Sequence, residues 1–327
     1  MKRILIIQTA FIGDVILATP VIERLRRCFP EADIDFLLRK GNEGLFVGHP
    51  HLRRVLIRDK VGDGKIGSLR KVLRKVRGER YDLVVNLHRF LSSGIVAGFS
   101  RAGQVCGFDK NPLAWRYDCK VPHVISQDMG AVVHEVDRNL SVVAHLTEGP
   151  PDVMRLYPSK ADFVAVKQRG RYFCLAPTSV WFTKQWPAER WVTLIGKLDA
   201  EAKVFLLGAP GDRVACDAIA EAANHPQVEV LAGTLTLLQS AALMQGAVMN
   251  YVNDSAPQHL ASAMNAPVRA VFLSTVPAFG FGPRSADSKV VEAGLDLDCR
   301  PCGLHGFRAC PKGHFRCAEF DVLPEVR

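Results

Sequence analysis

Residues 247–264, AVMNYVNDSAPQHLASAM, indicate the fold of this chain. The apolar run 247–252 predicts a buried strand, which ends at the turn-forming residues 253–255, Asn-Asp-Ser. Pro257 suits the first turn of a helix, and apolar residues recur after it at helical spacing. A buried strand that leads through a tight turn into a helix is typical of a parallel α/β sheet.

The start of this helix is a candidate anion site. Free N–H groups and the helix dipole favour a negatively charged group there, most often a phosphate. Asp254 and Ser255 form the turn, and His259 in the first turn supplies a further donor. The plainer alternative is a capped helix that binds no ligand.

The rest of the chain alternates between short apolar segments and segments with helical spacing. We predict strands at 3–8, 34–38, 54–57, 83–86, 172–175, 203–207, 228–231, 247–252 and 268–273. We predict helices at 14–28, 68–77, 91–99, 130–146, 191–198, 213–223 and 235–245. The proline-rich segment 148–167 is the expected linker. The pattern therefore predicts two α/β halves, with ligands bound outside the carboxyl ends of the strands and in the cleft between the halves.

Size and charge limit the classes of partner. The chain has 327 residues and a formal net charge of +9, which implies about two domains and an acidic partner such as a nucleotide, an anionic lipid or a nucleic acid. No uninterrupted apolar segment is long enough to span a bilayer, so we expect a cytoplasmic protein. The basic segment 65–77 predicts a surface helix whose charged side could meet an anionic lipid headgroup.

The first strand is followed by residues 8–14, QTAFIGD, a candidate catalytic segment. Gly13 would let the backbone approach a ligand closely in a turn. Asp14 would lie at the mouth of the cleft, where a carboxylate can act as a general base. The alternative is that Asp14 only caps the next helix. The segment has no Gly-x-Gly-x-x-Gly or P-loop lysine pattern, which argues against a standard dinucleotide or P-loop site.

The second half opens with residues 176–187, APTSVWFTKQWP. Thr178 and Ser179 supply hydroxyl donors at a strand end, and Lys184 is a mobile point charge suited to a phosphate. The alternative for Lys184 is a solvated loop lysine. Together with the helix start at Asp254, the segment predicts two phosphate-binding strand ends on one sheet. Further along, Thr234 is the expected N-cap of the next helix.

The nine cysteines fall into two groups. Five are scattered and are expected to be small buried hydrophobes: Cys28, Cys106, Cys119, Cys174 and Cys216. Four cluster near the end of the chain and predict a structural metal, with tetrahedral zinc preferred over an iron–sulfur cluster or free thiols: Cys299, Cys302, Cys310 and Cys317. A full shell of thiolates leaves no open position, so we expect this metal to lie away from any catalytic centre.

The chain resembles the ADP-heptose:lipopolysaccharide heptosyltransferases, glycosyltransferase family 9. The resemblance extends over most of the length. It is carried by RILII at 3–7 with IGDVILATP at 12–20, by SVWFTKQWP at 179–187 and by NDSAPQHLASA at 253–263, with weaker matches at 134–140 and 281–283. Ala256 stands where many members have glycine, and the cysteine-rich tail is similar to that of some members only.

The resemblance implies the GT-B architecture, in which two Rossmann-like domains with parallel sheets face a central cleft. We therefore expect an acceptor-binding domain at 1–158, a nucleotide-sugar-binding domain at 159–290 and a cysteine-rich tail at 291–327. The implied reaction moves a heptose from ADP-heptose to a sugar of the lipopolysaccharide inner core, with inversion and without a catalytic metal.

The resemblance also implies a role for each candidate residue. Asp14 would deprotonate the acceptor hydroxyl. Thr178, Ser179 and Lys184 would hold the donor diphosphate. The donor site would be completed at the helix start by Asp254, Ser255 and His259. The glycolipid acceptor implies contact with the cytoplasmic face of the inner membrane.

The sequence leaves two alternatives open. The same fold could use another nucleotide sugar or another acceptor. A different class would be a non-catalytic nucleic-acid-binding protein with a zinc tail and a basic surface. Asp14 argues against the second alternative, since a carboxylate in the cleft would repel a phosphodiester backbone, and we expect no nucleic-acid partner.

Overall fold

A computed structural model describes residues 1–126, 132–150, 152–292, 297–320 and 324. The chain divides into two compact units. The first comprises Met1–Ile125 with Val133–Tyr157, and the second comprises Ser126–Val132 with Pro158–Arg327. Each unit contains one six-stranded sheet in which all paired strands are parallel, which confirms the predicted α/β class.

The first unit surrounds one sheet with helices. Its strands are β1 (Arg3–Ile7), β2 (Asp33–Arg39), β3 (Arg54–Arg58), β4 (Leu83–Asn86), β5 (Gln104–Phe108) and β6 (Cys119–Val121). Its helices are α1 (Ile12–Leu17), α2 (Thr19–Cys28), α3 (Lys65–Glu79), α4 (Leu91–Gly98) and α5 (Glu135–Ser141). The strand order is β3-β2-β1-β4-β5-β6, so the direction of winding reverses between β1 and β4. Ligands of open α/β sheets bind at such a reversal, outside the carboxyl ends of the strands.

The second unit repeats this topology. Its helices are α6 (Lys160–Ala165), α7 (Ala188–Ile195), α8 (Arg213–Ala223), α9 (Leu237–Gly246) and α10 (Ala256–Ala263). Its strands are β7 (Tyr172–Ala176), β8 (Lys203–Leu206), β9 (Val228–Val230), β10 (Met249–Asn253), β11 (Val268–Phe272) and β12 (Ser288–Glu292). The order β12-β11-β10-β7-β8-β9 places its reversal between β7 and β10. The loops after these two strands are the segments that the sequence predicted to bind phosphate.

The cysteine-rich tail belongs to the core of the second unit. The buried rings of Trp186 and Trp191 meet edge to face, with centroids 5.2 Å apart. Phe320 stacks on Trp186 at 6.1 Å, and Cys317 lies in the same apolar cluster. The tail and the loop after β7 therefore pack in the same cluster of buried aromatic side chains.

Several predicted boundaries were wrong for local reasons. The expected helix at 14–28 is two helices, because Pro20 lacks an N–H and the Thr19 hydroxyl donates to the Ile16 carbonyl instead, at 2.7 Å. The N-cap of α9 is Thr236, which forms a capping box with Gln239, and not Thr234.

The predicted helix at 130–146 was too long. Residues 130 and 131 lie outside the described part, α5 begins only at Glu135, and a separate 3₁₀ turn covers Ala144–Leu146. The expected linker contains α6, and its residue 151 also lies outside the described part. Strands β5, β6 and β12 were not predicted.

The basic helix packs in the manner expected of a surface helix. In α3, Val72 and Val76 are buried in the core of the first unit, while most of the basic residues remain on the surface. Over the residues that the structure describes, no helix combines the length and the apolar character that a bilayer span requires.

Candidate functional site

A buried asparagine joins the two loops at the reversal of the second sheet. The Asn253 side chain accepts a hydrogen bond from the backbone N–H of Trp186 at 3.0 Å and donates to the carbonyl of Pro177 at 2.8 Å. Asn253 is the last residue of β10, whereas Pro177 and Trp186 belong to the loop after β7. The position of that loop is therefore set from the neighbouring strand.

Lys184 and Asp254 form an ion pair in these loops. Lys184 Nζ lies 2.6 Å from Asp254 Oδ2, and the side chains are 14% and 6% exposed. The Thr275 hydroxyl donates to the same oxygen at 2.6 Å, and Gln258 Nε2 donates to Oδ1 at 2.9 Å. Lys184 is thus paired and largely buried, so it is not the mobile point charge that the sequence predicted, and the alternative of a solvated loop lysine is also wrong.

The electrostatic balance at Asp254 favours the carboxylate. Burial by itself would raise the pKa of Asp254. The charge and hydrogen bond of Lys184, the Thr275 hydroxyl and nearby His259 act in the opposite direction, and the pKa falls below its ordinary value. Asp254 therefore stays ionised at neutral pH and holds the Lys184 side chain at the carboxyl end of the sheet.

The other predicted residues of this unit surround the pair. Ser255 is the N-cap of α10, but its side chain does not cap the first turn, and Pro257 lies in that turn as expected. Thr178 and Ser179 are partly exposed in the loop after β7, where Gln185 Nε2 donates to the Ser179 carbonyl at 2.6 Å. Hydroxyl groups, a helix N-terminus and a fixed lysine thus lie at one sheet edge, an arrangement suited to binding a phosphate.

The tail contacts the loop that carries Lys184. The backbone N–H of Phe307 donates to Thr183 Oγ1 at 2.8 Å, and the Thr183 N–H donates to the Phe307 carbonyl at 3.1 Å. Gly306 has a φ of +78°, and a Cβ there would lie 3.0 Å from Thr183 Oγ1 and 3.2 Å from Lys184 Cγ. The tail therefore contacts the loop that carries Lys184, and the prediction that a metal in the tail would lie away from any catalytic centre stays a prediction.

The tail also forms hydrogen bonds with the loop after β11, which contains Thr275, the residue that donates to Asp254. The Cys302 N–H donates to the Ser274 carbonyl at 2.7 Å, and Arg300 Nη2 donates to the Thr275 carbonyl at 3.0 Å. Arg300 is itself paired with Glu292. The sequence did not predict these contacts, because the polar residues after β11 carry no motif of their own.

The four tail cysteines share one neighbourhood without forming a closed metal shell. Burial raises the pKa of Cys302, as do the nearby thiols of Cys299 and Cys310. Burial likewise raises the pKa of Cys317 to about 11, with contributions from the same group. Among the described residues, however, no three of these thiols have sulfur atoms within 4.8 Å of one another. The predicted tail metal stays a prediction.

In the first unit, Asp14 follows β1, one of the two strands between which the strand order reverses. It lies in the first turn of α1, whose N-cap is Phe11, so Asp14 is not the N-cap residue, although its carboxylate accepts hydrogen bonds from the backbone N–H groups of Phe11 and Asp14. Gly13 also lies inside α1 and not in a turn as predicted. Burial, followed by the charge of Glu135, raises the pKa of Asp14 to about 6, although Arg89 and two backbone N–H groups oppose the shift. A carboxylate with this pKa can accept a proton at neutral pH.

Cationic groups that the sequence did not single out gather at the carboxyl ends of β3 and β4. Burial lowers the pKa of His88 to about 4, and the charges of Lys60, Arg89 and Arg58 contribute. The imidazole is consequently neutral, and its Nδ1 lies 3.0 Å from the Thr9 hydroxyl. Arg58 is 4% exposed, and no acceptor in the described part of the chain meets its Nε or Nη1. A buried guanidinium with free donors marks a place where an anion would be stabilised.

A family comparison identifies the protein class. The sequence model of "Glycosyltransferase family 9 (heptosyltransferase)" matches residues 69–305. The chain belongs to glycosyltransferase family 9. It is therefore a glycosyltransferase.

Individual relatives agree with this assignment. Lipopolysaccharide heptosyltransferase 3 of Escherichia coli is 29% identical over 284 residues, which cover 81% of this chain and 82% of the relative. A solved glycosyl transferase family 9 structure from Veillonella parvula has a TM-score of 0.79 at 22% identity, covering 89% and 85% of the two chains. The E. coli heptosyltransferase WaaC with ADP-2-deoxy-2-fluoro heptose has a TM-score of 0.73 at 22% identity, covering 89% and 93%. The two structures show that the transferase shares their fold.

The ion pair makes a testable contribution to stability. Asp254→Ala leaves the ammonium of Lys184 largely buried and unpaired, and we expect the free energy of unfolding to fall by about 3–5 kcal/mol. The double variant Asp254→Ala/Lys184→Met should recover most of this loss, because no charge remains buried. Urea unfolding of the single and double variants measures both effects.

A surface pair supplies the control. Arg213 and Asp217 are 47% and 52% exposed, so Asp217→Ala should lower stability by less than about 1 kcal/mol. Equal losses for Asp254→Ala and Asp217→Ala would contradict the account of the buried pair.

Proposed function

We propose that this transferase moves a heptose from ADP-heptose to a sugar of the lipopolysaccharide inner core, with inversion at the anomeric carbon. The observation that carries the proposal is the fixed cation at the start of α10, where Lys184 Nζ lies 2.6 Å from Asp254. The relatives include a lipopolysaccharide heptosyltransferase and a heptosyltransferase solved with an ADP-heptose analogue, which supports the donor and the acceptor class.

The donor diphosphate would be held without a catalytic metal. As the bond to the anomeric carbon breaks, negative charge grows on the departing ADP. The ammonium of Lys184 and the N–H groups at the start of α10 would stabilise that charge. Thr178, Ser179 and Ser255 would donate hydroxyl hydrogen bonds, and His259 would complete the site. Asp254 repels phosphate, so its role in this proposal is to position Lys184.

Asp14 would act as the general base in a single displacement. Its carboxylate accepts the proton of an acceptor hydroxyl while that oxygen forms a bond to the anomeric carbon, and the bond from this carbon to the diphosphate oxygen breaks. One carboxylate is enough for this reaction, and the configuration inverts. The raised pKa of about 6 supports the role, since it makes Asp14 a stronger base than an ordinary aspartate while leaving it ionised at neutral pH.

The acceptor would carry negative charge. Arg58, Lys60 and Arg89 gather around His88 in the unit that also carries Asp14. Arg58 has donors with no acceptor in the described part of the chain, which supports a phosphate or carboxylate on the acceptor. A glycolipid acceptor places the transferase in the cytoplasm at the inner membrane, with the basic surface of α3 available to anionic headgroups.

One alternative is kept and one is set aside. The same arrangement could serve another nucleotide sugar or another acceptor, because a lysine and a helix start bind any diphosphate. The non-catalytic nucleic-acid-binding alternative loses its basis, since the chain belongs to an enzyme family.

We also propose that the four tail cysteines hold a structural metal, with zinc preferred. The proposal rests on the shared neighbourhood of Cys299, Cys302, Cys310 and Cys317, whose thiols a bound metal ion would deprotonate. A metal there would stabilise the tail segment that is hydrogen-bonded to Thr183 and Thr275. It would thereby help to position the residues proposed to bind the nucleotide sugar.

Donor binding tests the central claim. Calorimetric titration with ADP, UDP and GDP should show selective binding of ADP that survives a chelator. Lys184→Met should weaken ADP binding about 10- to 100-fold, because a charged hydrogen bond contributes about 1.5–3 kcal/mol. Lys197→Met, which removes an exposed lysine from the same unit, should change nothing. A preference for UDP or GDP would rule out ADP-heptose as the donor. Unchanged ADP affinity in Lys184→Met would rule out Lys184 as a diphosphate-binding residue.

The pH dependence of transfer tests Asp14. Below pH 6 the carboxyl group is protonated and cannot accept a proton, so kcat/KM should rise with pH, with a midpoint near 6, and then level off. Asp14→Asn should lower kcat about 10²- to 10⁴-fold while ADP affinity stays the same. Asp63→Asn changes an exposed carboxylate of the same unit and serves as the matched control. Wild-type rates in a folded Asp14→Asn variant would refute the mechanism.

Metal content tests the tail. In protein purified under reducing conditions, the double variant Cys299→Ser/Cys302→Ser should lose about one equivalent of zinc relative to the wild type. Its KM for the donor should also rise, because Ser274 and Thr275 lose their support. Cys28→Ser, a partly buried cysteine outside the tail, is the control. Elemental analysis distinguishes zinc from iron, and an unchanged metal content would contradict the proposal.

A further inference from the structure

The first unit contains a cluster of two thiols and one imidazole that the transferase reaction does not use. Cys106 in β5 and Cys119 in β6 are opposite one another in the parallel pair of strands, and His145 lies in the turn Ala144–Leu146. Taking one donor atom from each, all three lie within 4.8 Å of one another. We propose that Cys106, Cys119 and His145 bind a thiolate-preferring metal ion, with zinc as the natural occupant.

The distances suit tetrahedral coordination. Cys119 Sγ lies 3.5 Å from His145 Nδ1, and Cys106 Sγ lies 3.6 Å from Nε2 of the same ring. Zinc–sulfur bonds of about 2.3 Å and zinc–nitrogen bonds of about 2.0–2.1 Å at tetrahedral angles give a sulfur–nitrogen separation of about 3.5 Å. The two sulfur atoms meet different nitrogens of the ring, so the exposed imidazole must turn until one nitrogen faces both sulfur atoms, and one donor atom from each residue already lies within 4.8 Å of the others.

A neighbouring amide favours Nδ1 as the ligand. The side-chain Nε2 of Gln104 lies 3.3 Å from His145 Nε2. If the oxygen and nitrogen of this amide exchange places, the oxygen accepts a hydrogen bond from His145 Nε2–H, which leaves Nδ1 free to bind the metal. A metal-bound histidine usually donates its second ring N–H in this way. Because His145 is exposed, water can fill the fourth position.

The location indicates a structural purpose. Strand β6 has three residues and pairs only with β5 among the described strands, at the edge of the sheet. The turn Ala144–Leu146 contains no buried residue. An ion bound to Cys106, Cys119 and His145 would tie this edge strand and this turn to the interior of the sheet. The expectation that both cysteines act only as small hydrophobes does not account for the imidazole held against them.

Metal binding by the full chain tests the site independently of the tail. The background is the variant Cys299→Ser/Cys302→Ser, purified under reducing conditions and stripped of metal, so that the tail does not contribute. We expect titration with Co²⁺ to give sulfur-to-metal charge-transfer absorption, and Zn²⁺ to displace it at about one equivalent. Adding Cys119→Ser or His145→Ala should abolish the absorption or weaken binding at least tenfold, whereas adding Cys28→Ser should not.

Two further measurements guard against a folding defect in the background. In the chain with an intact tail, Cys119→Ser should lower bound zinc by about one equivalent and remove part of the rise in Tm that zinc produces. Gln104→Ala should weaken binding about 10-fold, as loss of an outer hydrogen bond does, and leave the fold unchanged. The proposal is overturned if reduced protein shows no thiolate–cobalt absorption, or if zinc content is the same in the wild type, Cys119→Ser and His145→Ala.

Discussion

The ion pair between Lys184 and Asp254 is the interaction on which the candidate site depends. Taking two charges out of water costs several kcal/mol per ion, and attraction between them offsets this only when further hydrogen bonds satisfy the carboxylate. Thr275 and Gln258 supply those bonds. The pair thus links the loop after β7, the start of α10 and the loop after β11. Any displacement of one of these segments would leave a charge buried without its partner.

Topology explains why these segments meet. The order of the strands reverses between β7 and β10, and the loops leaving two such strands diverge to opposite faces of the sheet and open a crevice at its edge. Asn253 joins these two loops, and the tail contacts the loop after β7 through Phe307 and the loop after β11 through Cys302 and Arg300. The cysteine-rich tail is therefore part of the support of the site, and its own stability contributes to the position of Lys184.

The first unit uses the same topology for different chemistry. At its reversal the structure has a carboxylate, Asp14, whose pKa burial raises to about 6, and a group of cations near His88. In the proposed function, one repeat of the fold carries the base and the groups that bind an acidic acceptor, and the other carries the cation that binds the diphosphate. Fold likeness alone would not separate these roles, which depend on the side chains at the strand ends.

The sequence by itself determined the α/β class, the two parallel sheets, the family and the strand ends where candidate residues lie, because periodicity and motifs are local properties of the chain. It did not reveal strands β5, β6 and β12, which contain glycine, lysine, glutamine or glutamate and therefore lack the continuous apolar run that marked the predicted strands. Only the tertiary structure paired Lys184 with Asp254, brought Gly306 against Lys184, and assembled Cys106, Cys119 and His145. These contacts join residues far apart in the chain, so they depend on strand order and packing, which no local pattern records.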